Sequence, residues 1–217
     1  LKNGRHVNMI DSKWRNGYQK ICVNPLLPLI KRCHPSLLTM AALFFGLTIP
    51  LFCFLGIPQL AFLSLVLSGY LDTLDGTVAR LRGLTSPLGA VLDITADRLV
   101  EFAVILGLFF IAPEARGLHC LLMVGSAFIC ITTFLVVGIF AKNDSEKGFY
   151  YSPGIIERAE AFLLFGAMLL IPTLFTWFAV IFSLAVFLTA FIRVWEFAKL
   201  VDPEEVRSRH EKNLPPL

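Results

Sequence analysis

The chain has 217 residues, 56% of them hydrophobic and only 16% charged, with a net charge of +3 and a mean hydropathy of +0.73. A soluble domain is about 45–50% apolar and about 25% charged, so a fold solvated by water alone is excluded. A disordered chain is excluded as well, because it needs low hydrophobicity and high net charge. Twenty Phe against four Tyr and three Trp predict rings facing lipid. A backbone in lipid must satisfy its own hydrogen bonds, so the expected fold class is all-α, a polytopic membrane protein.

Residues 1–35 read as a basic cytoplasmic or interfacial segment. Within it, Trp14, Tyr18, Ile21 and Val23 alternate with Lys13, Arg15, Lys20, Lys31 and Arg32. That mixture predicts an N-terminal interfacial amphipathic helix drawn to anionic headgroups; a solvated basic tail is the plainer alternative. The segment has no apolar h-region and is not expected to be a signal peptide. Leu1 in place of Met predicts a native start further upstream.

No Asp, Glu, Lys or Arg occurs in the 39 residues between Arg32 and Asp72, too many for one span of about 20. Gly56-Ile57-Pro58 divides them into helices over 36–55 and 58–81, with Ser36 as the N-cap of the first. A third helix is expected from Pro87 to Ile111, since proline suits the first helical position. Pro113 and Gly117 then separate it from a fourth over 118–141. Another charge-free stretch, Ala161 to Ile192, is divided at Pro172 into helices over 154–171 and 174–200. Six transmembrane helices are thus expected to form one domain over 36–200, followed by a cytoplasmic tail over 201–217.

With the N-terminus inside, 18 of the 19 Lys and Arg residues fall at inside ends and loops, and only Arg116 in an outside loop. The positive-inside rule therefore predicts an N-in/C-in protein, placed in the cell inner (cytoplasmic) membrane. Cys22, Cys33, Cys53, Cys120 and Cys130 show no CxxC and no metal-ligand spacing, and are expected to be reduced, packed thiols. Neither a nucleotide-phosphate glycine loop nor a G-x-S-x-G motif is present, and no nucleic-acid partner is expected.

Four aspartates stand where lipid should exclude them. Asp72, Asp75, Gly76 and Ala79 are spaced i, i+3, i+4 and i+7 on one helical face, and Gly89, Asp93 and Asp97 are spaced i, i+4 and i+8 on another. Gly83 and Pro87 allow the chain to reverse between them, so two carboxylates of each helix can face one another. A charge within a span costs about 2.5–3.5 kcal/mol even on the lenient insertion scale, and four acids repel one another. Arg80 and Arg98 offset part of that charge, but an all-oxygen carboxylate set suits Mg²⁺, Mn²⁺ or Ca²⁺, and two divalent ions would balance it. A buried ion-pair network and a divalent-cation or proton transporter are the alternatives. A transporter predicts acids at mid-bilayer, repeated in the other half of the chain, and no such repeat occurs.

The pattern D-x2-D-G-x2-A-R-x8-G-x3-D-x3-D is filled at every position by Asp72, Asp75, Gly76, Ala79, Arg80, Gly89, Asp93 and Asp97. It resembles the signature of the CDP-alcohol phosphotransferase family; intramembrane prenyltransferases carry separated Asp-rich motifs without the Gly-Ala-Arg core. The resemblance implies transfer of a phosphate-linked group from a CDP-alcohol to an acceptor hydroxyl, with release of CMP. It implies Asp72, Asp75, Asp93 and Asp97 as metal ligands for two divalent cations, Mg²⁺ or Mn²⁺, with Ca²⁺ inhibitory or substituting. Asp97 is also implied as the general base, and Asp72, Gly76, Ala79, Arg80 and Gly89 as nucleotide-binding residues. A homodimer is implied by the resemblance alone.

The expected donor is CDP-diacylglycerol, and the site is expected to face the cytoplasm, where soluble substrate and CMP exchange. Gly154-Ile-Ile-Glu157-Arg158-Ala-Glu160 resembles the Glu-Arg-x-Glu-Arg stretch of inositol-phosphate-using members, as does Arg193-Val-Trp195. Ala161 departs from that pattern, standing where that branch has its second Arg. Arg158, Lys142 and Arg193 are the acceptor-binding residues this implies, with Lys147 another available cation. The acceptor is left as a polar alcohol of inositol phosphate, inositol, glycerol phosphate or serine type. A CDP-choline or CDP-ethanolamine donor with diacylglycerol as acceptor is the alternative within the enzyme class.

Overall fold

A computed structural model describes residues 34–140 and 158–200. The interfacial segment, Lys142, Lys147, Cys22, Cys33, residues 154–157 and the tail from Asp202 lie outside these. The described residues are helical and contain no strand: α1 (Pro35–Phe54), α2 (Pro58–Leu81), α3 (Pro87–Ile111), α4 (Pro113–Phe140), α5 (Arg158–Leu170), a 3-10 turn (Pro172–Leu174) and α6 (Phe175–Leu200). They fall into two compact units, one of residues 34–52 and 60–104, the other of 53–59, 105–140 and 158–200.

In the first unit, α1 separates its two faces cleanly. Leu38, Ala42, Gly46 and Ile49 are buried, whereas Leu37, Met40, Phe44, Leu47 and Leu51 are exposed although all are large and apolar. Both sets follow the three-to-four-residue helical repeat, so the outer stripe suits lipid. Its start differs from expectation. Pro35 takes the first helical position and His34 is the cap, its Nδ1 accepting from the Ser36 amide at 3.4 Å; Ser36 is already helical. Proline has no amide to lose there and its φ suits the helix, which moves the cap two residues back, from Ser36 to His34.

Side-chain hydrogen bonds tie α1 to α2, among them Thr48 Oγ1 to Ser64 Oγ (3.1 Å) and Thr39 Oγ1 to Asp75 Oδ2 (2.5 Å). Leu38, Leu74 and Val78 pack together beside the second bond. A Schellman motif ends α2: Leu84 N–H donates to Ala79 C=O (2.9 Å) and Gly83 N–H to Arg80 C=O (3.3 Å), with Gly83 at φ +61°. Two residues later Ser86 caps α3, its hydroxyl accepting from the Gly89 amide at 3.0 Å with Pro87 in the first helical position. The reversal expected between Gly83 and Pro87 is therefore present, and it sets the two aspartate-bearing helix ends beside one another.

In the second unit, α6 packs along α4 and α5. Phe165 and Phe182 are fully buried with ring centroids 5.1 Å apart. α4 begins at Pro113 rather than at 118. An interior glycine costs only about 1 kcal/mol relative to alanine, so Gly117 does not break a 28-residue helix. Arg116 is consequently not in a loop. It is 6% exposed, its guanidinium 4.2 Å over the Phe175 ring and donating to Leu108 C=O at 3.4 Å. Cys53 and Cys120 are buried free thiols, and Cys130 is free and half-buried.

Among the described residues, three helical stretches are long and apolar enough to cross a membrane: Pro35–Phe54, Pro113–Phe140 and Pro172–Lys199. The chain is an integral membrane protein by that measure. α2 and α3 have the length, at 24 and 25 residues, but carry the aspartates in their apolar sequence.

Candidate active site at the α2–α3 turn

The site is built in the first unit from the last turns of α2, the first turns of α3 and the start of α1. Asp72, Asp75 and Asp93 each offer a carboxylate oxygen, and the three oxygens lie within 4.8 Å of one another. Asp75 is buried at 5% exposure, and Asp72 and Asp93 are half-buried. Asp97 is half-buried one turn further along α3 and is not part of this three-oxygen group. A divalent ion about 2.0–2.6 Å from each oxygen holds ligand atoms up to roughly 4–5 Å apart, so the triad has the spacing and the hard-oxygen chemistry such an ion requires.

Beside the triad is a cavity of about 320 Å³, within the range of small-molecule sites. Asp75, Gly76, Ala79, Arg80, Gly89 and Asp93 all line it. Six of the eight motif positions thus share one cavity. Gly76 brings the wall close to Arg80 in a way spacing does not show: a Cβ on it would stand 3.3 Å from Arg80 Nη1, the far end of a flexible side chain. The Arg80 side chain folds back along α2, with Nη2 donating to Thr77 Oγ1 at 3.4 Å. Gly89 keeps similar clearance, since its Cβ would lie 3.2 Å from the capping Ser86 hydroxyl. Arg98 does not extend this group; it forms an ion pair with Glu101 on the next turn of α3.

Sequence reasoning missed the contribution of α1. His34, Pro35 and Ser36 form part of the cavity wall, and Thr39 hydrogen-bonds Asp75 directly. A Thr one turn into a mostly apolar helix was the available signal.

The expected acceptor residues belong to the second unit where they are described. Arg158 opens α5, with its guanidinium 5.9 Å from the Phe162 ring centroid. Arg193 is buried in α6, donating through Nη1 to Cys130 C=O at 3.0 Å and lying 5.1 Å from the Phe134 ring centroid. Its Nε is buried without a hydrogen-bond partner.

Comparison with known proteins finds relatives in sequence and in fold. "Inner membrane protein YnjF" of Escherichia coli is 34% identical over 168 residues, covering 74% of this chain and 81% of that protein. The phosphatidylinositol phosphate synthase of Mycolicibacterium smegmatis is 39% identical over 93 residues, 43% of this chain and 41% of the synthase. That match therefore spans about two fifths of the synthase's length. The crystal structure of Mycobacterium tuberculosis phosphatidylinositol phosphate synthase (PgsA1) with CDP-DAG bound has the same fold, with a TM-score of 0.59 over 80% of this chain and 90% of that one at 24% identity. The family model described as CDP-alcohol phosphatidyltransferase matches residues 32–195, which include every motif aspartate, and the chain belongs to that family.

Proposed function

We propose that the protein transfers the phosphatidyl group of CDP-diacylglycerol to the hydroxyl of a polar alcohol, releasing CMP. The observation that carries this reading is the Asp72–Asp75–Asp93 oxygen triad, two of whose members, Asp75 and Asp93, line a cavity together with Gly76, Ala79, Arg80 and Gly89 of the motif. The PgsA1 structure with CDP-DAG bound supports the same donor for this chain.

Asp72, Asp75 and Asp93 hold divalent cations, Mg²⁺ or Mn²⁺, with Asp97 as an additional ligand. Such ions, when bound, neutralise pyrophosphate charge and favour departure of a phosphate leaving group. Gly76, Ala79 and Gly89 leave the wall bare for the cytidine, and Arg80 supplies positive charge to the donor phosphates. The acceptor oxygen attacks the phosphorus bearing diacylglycerol, the bond from that phosphorus to the CMP oxygen breaks, and CMP leaves with the electron pair. Asp97 takes the acceptor's hydroxyl proton. A carboxylate in that role is effective because an alcohol becomes acidic only as its new bond to phosphorus forms.

The acceptor is held by Arg158, Lys142 and Arg193. The unpartnered Nε of Arg193 supports this role, since a buried donor without a partner costs free energy that an acceptor oxygen would offset. The site faces the cytoplasm of an N-in/C-in protein with six spans in the inner membrane, and the enzyme works as a homodimer.

The test incubates purified protein with labelled CDP-diacylglycerol and, separately, inositol phosphate, inositol, glycerol phosphate, serine and choline, with Mn²⁺, Mg²⁺ or a chelator. CMP release with one acceptor and its loss on chelation are expected. Activity that survives thorough chelation overturns the metal centre. Failure of every acceptor to release CMP overturns the donor assignment, and metal flux without nucleotide would favour a transporter.

A further inference from the structure

We propose that Thr39 of α1 is a positioning residue for Asp75, setting the orientation of that carboxylate and thereby the affinity of the aspartate triad for a divalent cation. The inference rests on reading the triad as a metal centre. Asp75 is the buried member of the three, and it has two acidic neighbours whose oxygens come within 4.8 Å of its own. An unrestrained carboxylate in that position turns away from its neighbours by rotation about χ1 and χ2. Thr39 opposes this turn, because its hydroxyl donates to Asp75 Oδ2 at 2.5 Å, well inside its 3.3 Å separation from Pro35 C=O. The hydroxyl has one proton, and the shorter, charge-assisted contact takes it.

The bond is held in place by packing on both sides. Leu38, next to Thr39, sits against Leu74, next to Asp75, and against Val78. Thr39 therefore cannot follow Asp75 if the carboxylate turns. With Oδ2 anchored, rotation of the Asp75 carboxylate is restricted, and with it the placement of the oxygen that Asp75 offers beside Asp72 and Asp93. Removal of such an outer hydrogen-bond partner commonly lowers metal affinity by about 10–100-fold. α1 is also part of the cavity wall through His34, Pro35 and Ser36, so one helix shapes the cavity and aligns a ligand.

The experiment titrates Mn²⁺ into the full-length protein in detergent, without nucleotide, and follows free Mn²⁺ by electron paramagnetic resonance. Thermal midpoints in chelator serve as the control for folding. Wild type is expected to bind, and Asp75→Asn to bind much more weakly. Thr39→Val, which keeps the shape and removes the hydroxyl, is expected to raise the Mn²⁺ dissociation constant by about tenfold. Thr39→Ala gives the same reading should the valine variant fail to fold. Thr39→Ser, which restores the hydroxyl, is expected within about twofold of wild type. Wild-type affinity in Thr39→Val or Thr39→Ala overturns the positioning role while leaving the metal centre standing, even where their midpoints fall. Absence of Mn²⁺ binding by wild type overturns the metal centre itself, and the role of Thr39 with it.

Discussion

Gly46 of α1 and Val100 of α3 approach so closely that a Cβ on Gly46 would lie 2.4 Å from Val100 Cγ2 and 3.1 Å from Val100 Cβ. Rotation of the valine does not relieve this, because its Cβ is itself within the contact. The approach brings α1 against α3 in the same unit that carries the aspartates. Gly46→Ala is therefore expected to destabilise the protein by about 1–3 kcal/mol through overpacking. Its thermal midpoint in detergent should fall by roughly 2–4 °C for each kcal/mol. Gly46→Ala combined with Val100→Ala should recover only part of the loss, since the second change removes the two nearer methyl groups but leaves the Cβ at 3.1 Å. An undiminished midpoint in the single variant would mean that α1 and α3 are further apart.

Asp97 and Asp93 occupy one face of α3 a single turn apart, yet only Asp93 joins the three-oxygen group. This separation predicts two kinetic phenotypes. Asp97→Asn should retain donor binding and lose turnover by about 10²–10⁴, the usual contribution of a general base. Asp72→Asn and Asp93→Asn should also require a much higher Mn²⁺ concentration for half-maximal CMP release, more so than Asp97→Asn, since Asp97 stands outside the three-oxygen group. Equilibrium binding of labelled CDP-diacylglycerol, measured beside metal-dependent CMP release, separates the two. Full turnover by Asp97→Asn removes it from the base role.

Much of this organisation was legible because the decisive residues act locally. Gaps between charges located the apolar runs, and Pro58, Pro87 and Pro172 mark helical starts because proline suits a first turn. The acids on α2 and α3 could be assigned to faces from spacing alone, and Gly83 with Pro87 indicated the reversal that joins them. The start of α4 was misread because glycine was given more breaking power than its small helical cost warrants, which also misplaced Arg116. Thr39 was not legible in its role. Its partner is 36 positions away on another helix, and no periodicity within α1 distinguishes a hydroxyl facing a carboxylate from one bonded to its own backbone, as Thr73 is.

Gly83 ends α2 at φ +61°, and a Cβ there would meet nothing within 4 Å. Any effect of Gly83→Ala is therefore backbone strain, about 1–2 kcal/mol for a left-handed residue with a side chain. Gly83→Asn should cost less, since asparagine tolerates this region. The next residues, Leu84, Thr85 and Ser86, line the cavity, so relief of the strain by unwinding the turn would displace them. Gly83→Ala is expected to raise KM for the donor more than it lowers kcat, with Gly83→Asn intermediate. Donor kinetics identical to wild type in a variant with a lowered thermal midpoint would show that the turn matters only for stability.

Gly76 offers a case in which stability and activity should move in opposite directions. Glycine inside a helix is about 1 kcal/mol less favourable than alanine, and the atom that an added Cβ would crowd, Arg80 Nη1 at 3.3 Å, is the far end of a flexible side chain. The guanidinium can yield by a few tenths of an ångström, so Gly76→Ala should fold with an unchanged or raised thermal midpoint. The same displacement moves Arg80 off Thr77 and places a methyl group on the cavity wall, where the donor is proposed to lie. KM for CDP-diacylglycerol should therefore rise while the midpoint does not fall. Gly125→Ala in α4 is the control: its Cβ would meet nothing within 4 Å, so it should gain stability without altering donor kinetics. A Gly76→Ala enzyme that is both more stable and fully active would show that the bare backbone at this motif position does not serve the donor.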